Sequence, residues 1–494
     1  MNAILEHSSP NRKPVRPNLV LAICCLSLLM VSMDATIVNV ALPAIRRDLG
    51  ASISALQWVI DAYTMVVASL LMLAGSMADR FGRRRIFQVG MSLFMLGSVL
   101  CSLAADIQWL IAFRVLQALG ATMLNPVAMS IIVNTITEPK ARARAIGAWG
   151  AVVGISMALG PLLGGGLTQI FGWRSIFWIN LPIGVSAIVL AALFIPESKS
   201  PRARRLDPLG QLLVFAALAA LICAVIEGPR MHWTSTAIVS LFATSFAAVV
   251  AIICYEPRRI DPLLDLRFFR SVPFSSAAII AVCSFAAFAG FLFLNALYLQ
   301  EVRGLSPLRT GLYTLPLALA TIVFSPLSGR LVGTYGTRPS LLIASGAMGL
   351  SAFILTHLGA DSDLNILMLT YFIFGIGFGS VNAPITNTAV SGMPQTQAGL
   401  AAAVASTSRQ VGASLGVAVA GTIVGTQAAV GASFTDATHA FWWCMVGASS
   451  MVLLLGLLSS SPWARASAQR AAQLFQERPP VDTRKQVLVE RLAE

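Results

Sequence analysis

Charge is what this sequence has least of. Asp, Glu, Lys and Arg make up 11% of its 494 residues against 56% hydrophobic ones, and the mean hydropathy is +0.78. A water-soluble chain of this length needs far more charge to cover its surface, so that class is excluded and the surplus apolar residues face lipid. Histidine is scarce as well. His7, His232, His357 and His439 are scattered, and no nucleophile–base set or metal-ligand cluster forms around them, which weighs against a membrane-embedded enzyme or sensor and implies neither metal nor cofactor. No Gly-rich phosphate loop is present, which argues against ATP as the energy source. The seven cysteines, Cys24, Cys25, Cys101, Cys223, Cys254, Cys283 and Cys444, lie almost entirely in apolar runs without metal spacing, and read as small core residues without disulfides. Long polar loops are missing too, so no soluble domain interrupts the chain. Only the stretches 1–17 and 463–494 are extended and polar.

What is present is a series of apolar runs of the ~20 residues that cover a ~30 Å hydrocarbon core. They fall at about 18–42, 56–77, 86–104, 109–132, 145–170 and 176–195, then 206–227 and 234–254, then 275–299, 308–330, 340–358, 365–390, 400–425 and 440–461. The first is too long for a signal peptide's apolar region and stays as a span. Fourteen spans place both termini on one side. With that side cytoplasmic, about 26 Lys and Arg fall in cytoplasmic segments and about six in external ones, the asymmetry of the positive-inside rule. The net charge of +13 is thereby explained with no nucleic-acid partner, and Arg202, Arg204 and Arg205 sit beside anionic lipid heads. The stretch 464–478 reads equally as a basic amphipathic helix on the inner leaflet or as a disordered tail.

Two segments displaced by about 254 positions resemble each other. Gly75-Ser-Met-Ala-Asp79-Arg80-Phe81-Gly82-Arg83-Arg84 closes the second span, and Gly329-Arg-Leu-Val-Gly333-Thr-Tyr335-Gly336-Thr-Arg338 closes the tenth. Repeated six-span halves suit alternating access around a central site, with spans 7 and 8 inserted between them. The expected division is a cytoplasmic segment 1–17, a six-helix bundle 18–195, a two-helix insertion with linkers 196–274, a second six-helix bundle 275–461 and a cytoplasmic tail 462–494. In the first segment Gly75 and Gly82 are expected to turn the chain at the bilayer surface. Asp79 is expected to accept from a helix N-terminus or an arginine, and Arg80, Arg83, Arg84 and Arg85 to hold the loop at the cytoplasmic face.

That 75–85 loop resembles the signature loop of the major facilitator superfamily. Gly154-x5-Gly160-Pro161-x2-Gly164-Gly165 resembles the glycine–proline motif of its antiporters. Arg114-x2-Gln117 with Gly120 resembles its fourth-span arginine motif, with Ala118 where glycine is usual. Asp34-Ala-Thr36-Ile-Val38-Asn39-Val-Ala41-Leu42-Pro43 is similar to the first-span motif of the fourteen-span drug:proton antiporters of the EmrB/QacA type. Trp173-Arg174, Asn180-Leu-Pro182-Ile-Gly184 and Arg409-Gln410-x-Gly412-x3-Gly416 extend the match over nearly the whole chain. The resemblance implies an all-α membrane protein of the major facilitator fold, two six-helix bundles plus two inserted helices. It also implies exchange of protons for hydrophobic or cationic small molecules across the inner (plasma) membrane, as in multidrug efflux. Export or import of one dedicated metabolite or lipid is the alternative. A periplasmic adaptor is not identifiable.

The few intramembrane charges point the same way, since an ionised side chain at mid-bilayer costs roughly 2.5–3.5 kcal/mol. At 1.5 Å per residue, Asp34 lies ~12 Å from the outer end of span 1, Asp61 ~8 Å deep in span 2 and Arg114 ~8–9 Å deep in span 4. They share one layer. Asp34 and Arg114, with Asp61 nearby, are therefore expected to couple protons: desolvation raises a carboxylate's pKa, an arginine lowers it, and a cationic substrate competes for the same acid. Glu227 reads as interfacial. Gly154, Gly160, Pro161 and Gly164 form a close-packing, bendable element between the bundles. Arg409, some ~14 Å deep from the cytoplasmic side of span 13, has no carboxylate in spans 9–14 to pair with, which leaves helix carbonyls, a loop acid such as Asp79, or substrate. Further candidates for substrate contacts are Asn39, Gln57, Gln117, Asn125, Trp149, Asn295, Tyr298 and Gln300, as aromatic faces attract organic cations and amides orient them.

Overall fold

The computed structural model describes residues 16–200, 206–259, 262–429 and 433–476, with the side chains of 139, 140, 143, 395, 396, 428 and 429 outside that description. Most of the segment 1–17, the arginines at 202, 204 and 205, and the end of the tail thus lie outside the described residues.

Long helices follow one another with tight connections. The first half comprises α1 (Pro17–Leu49), α2 (Ile53–Phe81), α3 (Arg83–Ser102), α4 (Ile107–Thr135), α5 (Pro139–Phe171) and a sixth crossing broken into α6 (Ser175–Trp178) and α7 (Asn180–Phe194). Then come α8 (Pro208–Met231) and α9 (Thr236–Tyr255). The last group is α10 (Val272–Leu297), α11 (Pro307–Tyr335), α12 (Thr337–Leu355), α13 (Leu364–Val390), α14 (Gln395–Ala429), α15 (Phe434–Ser459) and α16 (Pro462–Gln476). Local chemistry sets the ends. Pro17, Pro208 and Pro307 open helices in a first turn that needs no proline N–H. Ser52, Asp106 and Asp363 accept from the free amides of α2, α4 and α13. Gly82 (φ +113°) and Gly336 (φ +81°) each end one helix and start the next. Their backbone lies where a side chain is strained, so the two repeated segments share a conformation as well as residues.

Among the described residues, thirteen crossings are long and apolar enough to span a membrane. The fourteenth, α14, lies between α10 and α2 inside the bundle. Lipid is the medium they are built for: α9 turns Val239, Phe242, Phe246 and Ile253 outward, and Phe246 is 72% exposed. Helices run beyond the apolar runs, α1 to Leu49 and α10 into a π-helical turn at Tyr298–Val302. Within the first half α3 packs on α4, α1 on α5 and α2 on α4; within the second α10 packs on α14, and α11 and α12 on α13. The two halves meet where α5 lies on α11 and α2 on α14, while α8 pairs with α9 and leans on both α2 and α14.

The tail shows which of two readings applies to its first part. Residues 462–476 form α16, docked by Ser467, which accepts from the Val272 amide, and by Arg267, which donates to Leu474 O at 2.8 Å and covers the Phe475 ring. All seven cysteines are free thiols.

Candidate functional site

Asp34 and Arg114 meet. Arg114 Nη1 donates to Asp34 Oδ2 at 2.6 Å and to Gln117 Oε1 at 2.7 Å, its Nε donates to Val59 O, and its guanidinium lies 4.2 Å from the centre of the Tyr63 ring. The other carboxylate oxygen, Asp34 Oδ1, accepts from Gln117 Nε2 at 2.9 Å and from Asn180 Nδ2 at 3.3 Å. Asn180 also donates to Ser98 Oγ, and Ser98 to Phe177 O. Asp34 is 0% and Arg114 1% exposed. A buried pair of this kind offsets its desolvation only when the remaining donors and acceptors are filled, and here α2, α4 and α7 supply them. Gln117, expected to meet substrate, belongs to this network. Asn180, Ser98 and Tyr63 are its unforeseen members. Only Asn180 carried a signal, as part of the segment that follows Trp173-Arg174.

The glycines of α5 press on the same stretch of α1. A Cβ at Gly160 would stand 1.9 Å from Thr36 Oγ1, and one at Gly164 2.6 Å from Ile37 Cγ1. Neither position admits a side chain without moving α1. The opposite edge of α5 holds α11: a Cβ at Gly165 would stand 2.4 Å from Pro307 O, and one at Gly311 2.3 Å from Pro161 O. Helix α5 is thus wedged between the Asp34 helix and the second half.

Asp61 shares the layer but turns away from the pair. It is fully buried, and its Oδ1 accepts from Ser414 Oγ of α14 at 2.9 Å and from Thr64 Oγ1 at 3.3 Å. One turn away Gln57 Nε2 donates to Ala418 O at 2.7 Å and to Val417 O, so Gln57 joins the halves instead of facing cargo. Gln300 donates to Val40 O, and Arg46 pairs with Glu301 at 2.5 Å. All these contacts lie at the end of the bundle where α1 passes into α2. Along the stripe of α5 that holds α11, contact fades toward the other end. Gly165 is tight, a Cβ at Gly154 would stand 3.1 Å from Ile322, and Gly150 and Gly147 have nothing within 4 Å. Gly329 and Gly333 on α11 are equally open. The halves are closed at the α1–α2 end and part toward the α2–α3 end.

At that open end one expectation needs correction, and Asp79 meets the second of its two expected partners. Gly75 turns nothing: it lies inside α2 with open space beside it, and Gly82 alone makes the turn. Asp79 pairs with Arg83 at 2.7 Å, but the acid at the N-terminus of α3 is Glu197. Its carboxylate accepts from the amides of Arg84 and Arg85 at 3.1 and 3.2 Å, and a Cβ at Gly82 would collide with it. The segment after α7 is strapped on by Arg83 N to Ser198 O and Ser200 N to Asp79 O. Arg80 is exposed beside Phe81. Glu197 lies at the end of the sixth apolar run, and nothing local ties it to a loop more than a hundred residues earlier.

Other candidates scatter. Asn295 accepts from the Tyr371 hydroxyl and donates to Phe291 O, and Tyr298 donates to Gly359 O. These bonds stay within the second half. Asn39 donates to Ala35 O, while Asn39 Oδ1, Asn125 Oδ1 and Trp149 Nε1 are buried without partners among the described residues. Glu227 accepts from Trp58 Nε1 and Arg230, which ties α8 to α2. Arg409 does not reach Asp79. Its Nη2 donates to Thr386 Oγ1 at 2.5 Å, its guanidinium lies 6.0 Å from the centre of the Phe285 ring, and its Nε has no acceptor among the described residues.

Residues 24–417 match the family model described as Major Facilitator Superfamily. The chain is 38% identical over 400 residues to the multidrug resistance protein Stp of Mycobacterium tuberculosis, covering 81% of this chain and 74% of that one. It is 34% identical to the tetracenomycin C resistance and export protein of Streptomyces glaucescens, covering 85% and 78%. It is 37% identical to the puromycin resistance protein of Streptomyces alboniger, covering 82% and 81%. Among solved structures, a bacterial homologue of the human lysosomal transporter Spinster, titled inward-facing and occupied, superimposes with a TM-score of 0.60 at 18% identity, covering 95% of this chain and all of that one. That likeness concerns the fold.

Proposed function

Since the chain belongs to the major facilitator superfamily and is a multi-pass membrane transporter of small molecules, not an enzyme, we propose that it is a proton-coupled exporter of hydrophobic small molecules. Cationic ones compete with the proton at Asp34. It resides in the inner (plasma) membrane with both termini cytoplasmic, the orientation that puts the Arg80–Arg85 end inside. The closed α1–α2 end is then external, and the chamber opens to the cytoplasm, where cargo enters. The working division is a bundle over 18–195, an insertion over 196–274 and a second bundle over 275–461. The relatives' names, which speak of drug resistance and export, support toxic compounds as cargo.

The observation that carries this reading is the buried pair of Asp34 and Arg114. A proton arriving on Asp34 Oδ2 cancels the attraction that holds Arg114 Nη1, while Gln117 and Val59 keep the guanidinium in place. The local charge changes by one in a medium where that decides which packing is stable. Thr36 and Ile37 lie against Gly160 and Gly164, so a shift of α1 is passed to α5 and from there to its seam with α11. Release of the proton inside then resets the pair.

The test is transport by purified protein in liposomes with an imposed pH gradient and a panel including puromycin and other toxic compounds. Wild type should move compound against proton flow. Asp34→Asn should bind compound but lose gradient-driven movement, and gradient-driven transport equal to wild type in that variant would remove the coupling role.

A further inference from the structure

The second half of the molecule carries a cation that the ion-pair mechanism does not use. Between Asp363 and Asp436 the sequence has no acidic residue, yet Arg409 stands in the middle of α14. Its five N–H donors have one hydroxyl acceptor, Thr386, and a buried Nε with none among the described residues. Arg114, the cation of the first half's ion pair, has an acid, an amide and a carbonyl. The guanidinium is half-buried, and its Nε is closed off from water with no acceptor among the described residues, a cost that a ligand with acceptor oxygens would relieve. Thr386 is exposed, on a stretch of α13 that makes no extensive contact with α4 or α5, so the guanidinium stands at the parted end of the two halves. Beside it lies an aromatic shelf of half-buried Phe285 and Phe288, backed by buried Phe378, which meets Phe285 edge-on at 5.2 Å and stacks on Phe288 at 4.0 Å.

A cation with no counter-charge among the described residues, next to an apolar aromatic surface, fits one class of ligand. We propose that Arg409 with the Phe285–Phe378–Phe288 shelf is a binding site for amphipathic organic anions, the carboxylate on the guanidinium and the apolar body on the rings. This rests on the reading of the chain as an exporter and adds a cargo class to it: the Asp34 site serves protons and cations, and the Arg409 site serves carboxylates. Guanidinium is suited to the task because it stays charged and its donors match a carboxylate edge.

The experiment uses the full chain in phosphatidylcholine nanodiscs, without any gradient, and measures binding of 2-naphthoate and 9-anthroate, each against its own methyl ester. The acids should bind roughly tenfold or more tightly than the esters, the scale of one charge-assisted hydrogen bond. In Arg409→Gln that ratio should fall to about one with ester binding unchanged, in Arg409→Lys it should be partly kept, and in Asp34→Asn it should be intact. Esters binding as well as acids in wild type, neither acid binding, or a ratio that survives Arg409→Gln overturns the proposal. The wild-type comparison decides even where the Gln variant does not fold. Repeating the measurement with phosphatidylglycerol in the discs separates cargo from lipid, since an acid preference abolished by that lipid assigns Arg409 to a headgroup and overturns the cargo site. Loss of proton coupling would show in the liposome assay and leave this ratio untouched, so the two readings fail separately.

Discussion

Replacing Asp34 by Asn is the most informative perturbation, because geometry sets its size. Two unit charges 2.6 Å apart attract by about 6 kcal/mol at an effective dielectric constant of ~20. Much of that offsets the burial of both groups, so the net worth of the pair is small. What the single substitution exposes is the stranded partner: Arg114 remains 1% exposed with a carbonyl and an amide but no charge. Breaking a buried pair in this way costs about 3–5 kcal/mol. Asp34→Asn and Arg114→Gln should each lower the apparent melting temperature of the detergent-purified protein clearly. The double variant, with no charge left to strand, should recover most of the loss while transport stays absent. Melting curves of wild type, both single variants and the double variant form a double-mutant cycle. If the two losses simply add, the pair is not coupled as the 2.6 Å contact requires, and the mechanism built on it fails.

Four other substitutions test the α5 wedge, the loop and the closed end. Gly160→Ala pushes a methyl against Thr36 and should cost about 1–3 kcal/mol as overpacking, seen as a lower melting temperature with reduced export. Gly150→Leu meets open space here, so it should melt like wild type, yet export should fall because the parted stripe of α5 can no longer close on α11. Glu197→Gln removes the charge at the α3 N-terminus and should lose about 0.5–1 kcal/mol, measurable as a smaller shift in melting. Glu301→Arg sets a cation against Arg46 and should slow transport, and Arg46→Glu in the same molecule should restore it, most clearly at low salt.

Much of the architecture was written locally. Thirteen of the fourteen apolar runs became helices long and apolar enough to cross a membrane among the described residues, the other became α14, and Gly82 and Gly336, paired by a 254-residue repeat, have the same helix-breaking role with positive φ. Such features depend on hydropathy summed over a window and on the backbone freedom of one residue, and neither needs a partner. The meeting of Asp34 with Arg114 was legible for the same reason. Charges in spans are so few, and so expensive, that a shared depth leaves them little else to pair with.

Depth along a helix can be counted, but the direction of a side chain cannot. Each residue advances ~100° around the axis, so Asp61 at the depth of Arg114 faces Ser414 instead, and Gln57 is taken up by α14 carbonyls. Polar groups buried in a bilayer accept whatever partner the packing brings. In that way Asn180 and Ser98 complete the Asp34 network, and Glu197 caps a helix more than a hundred residues earlier. By itself the sequence determined the spans, the turns, the repeat and the one central ion pair, because these follow from local energy or from scarcity. Only the tertiary structure decided the rest: which half each polar group serves, which end is closed, and that Arg409 stands beside an aromatic shelf with no acid near it among the described residues. Those outcomes depend on how the helices are rotated against one another, a quantity set by contacts between segments hundreds of residues apart.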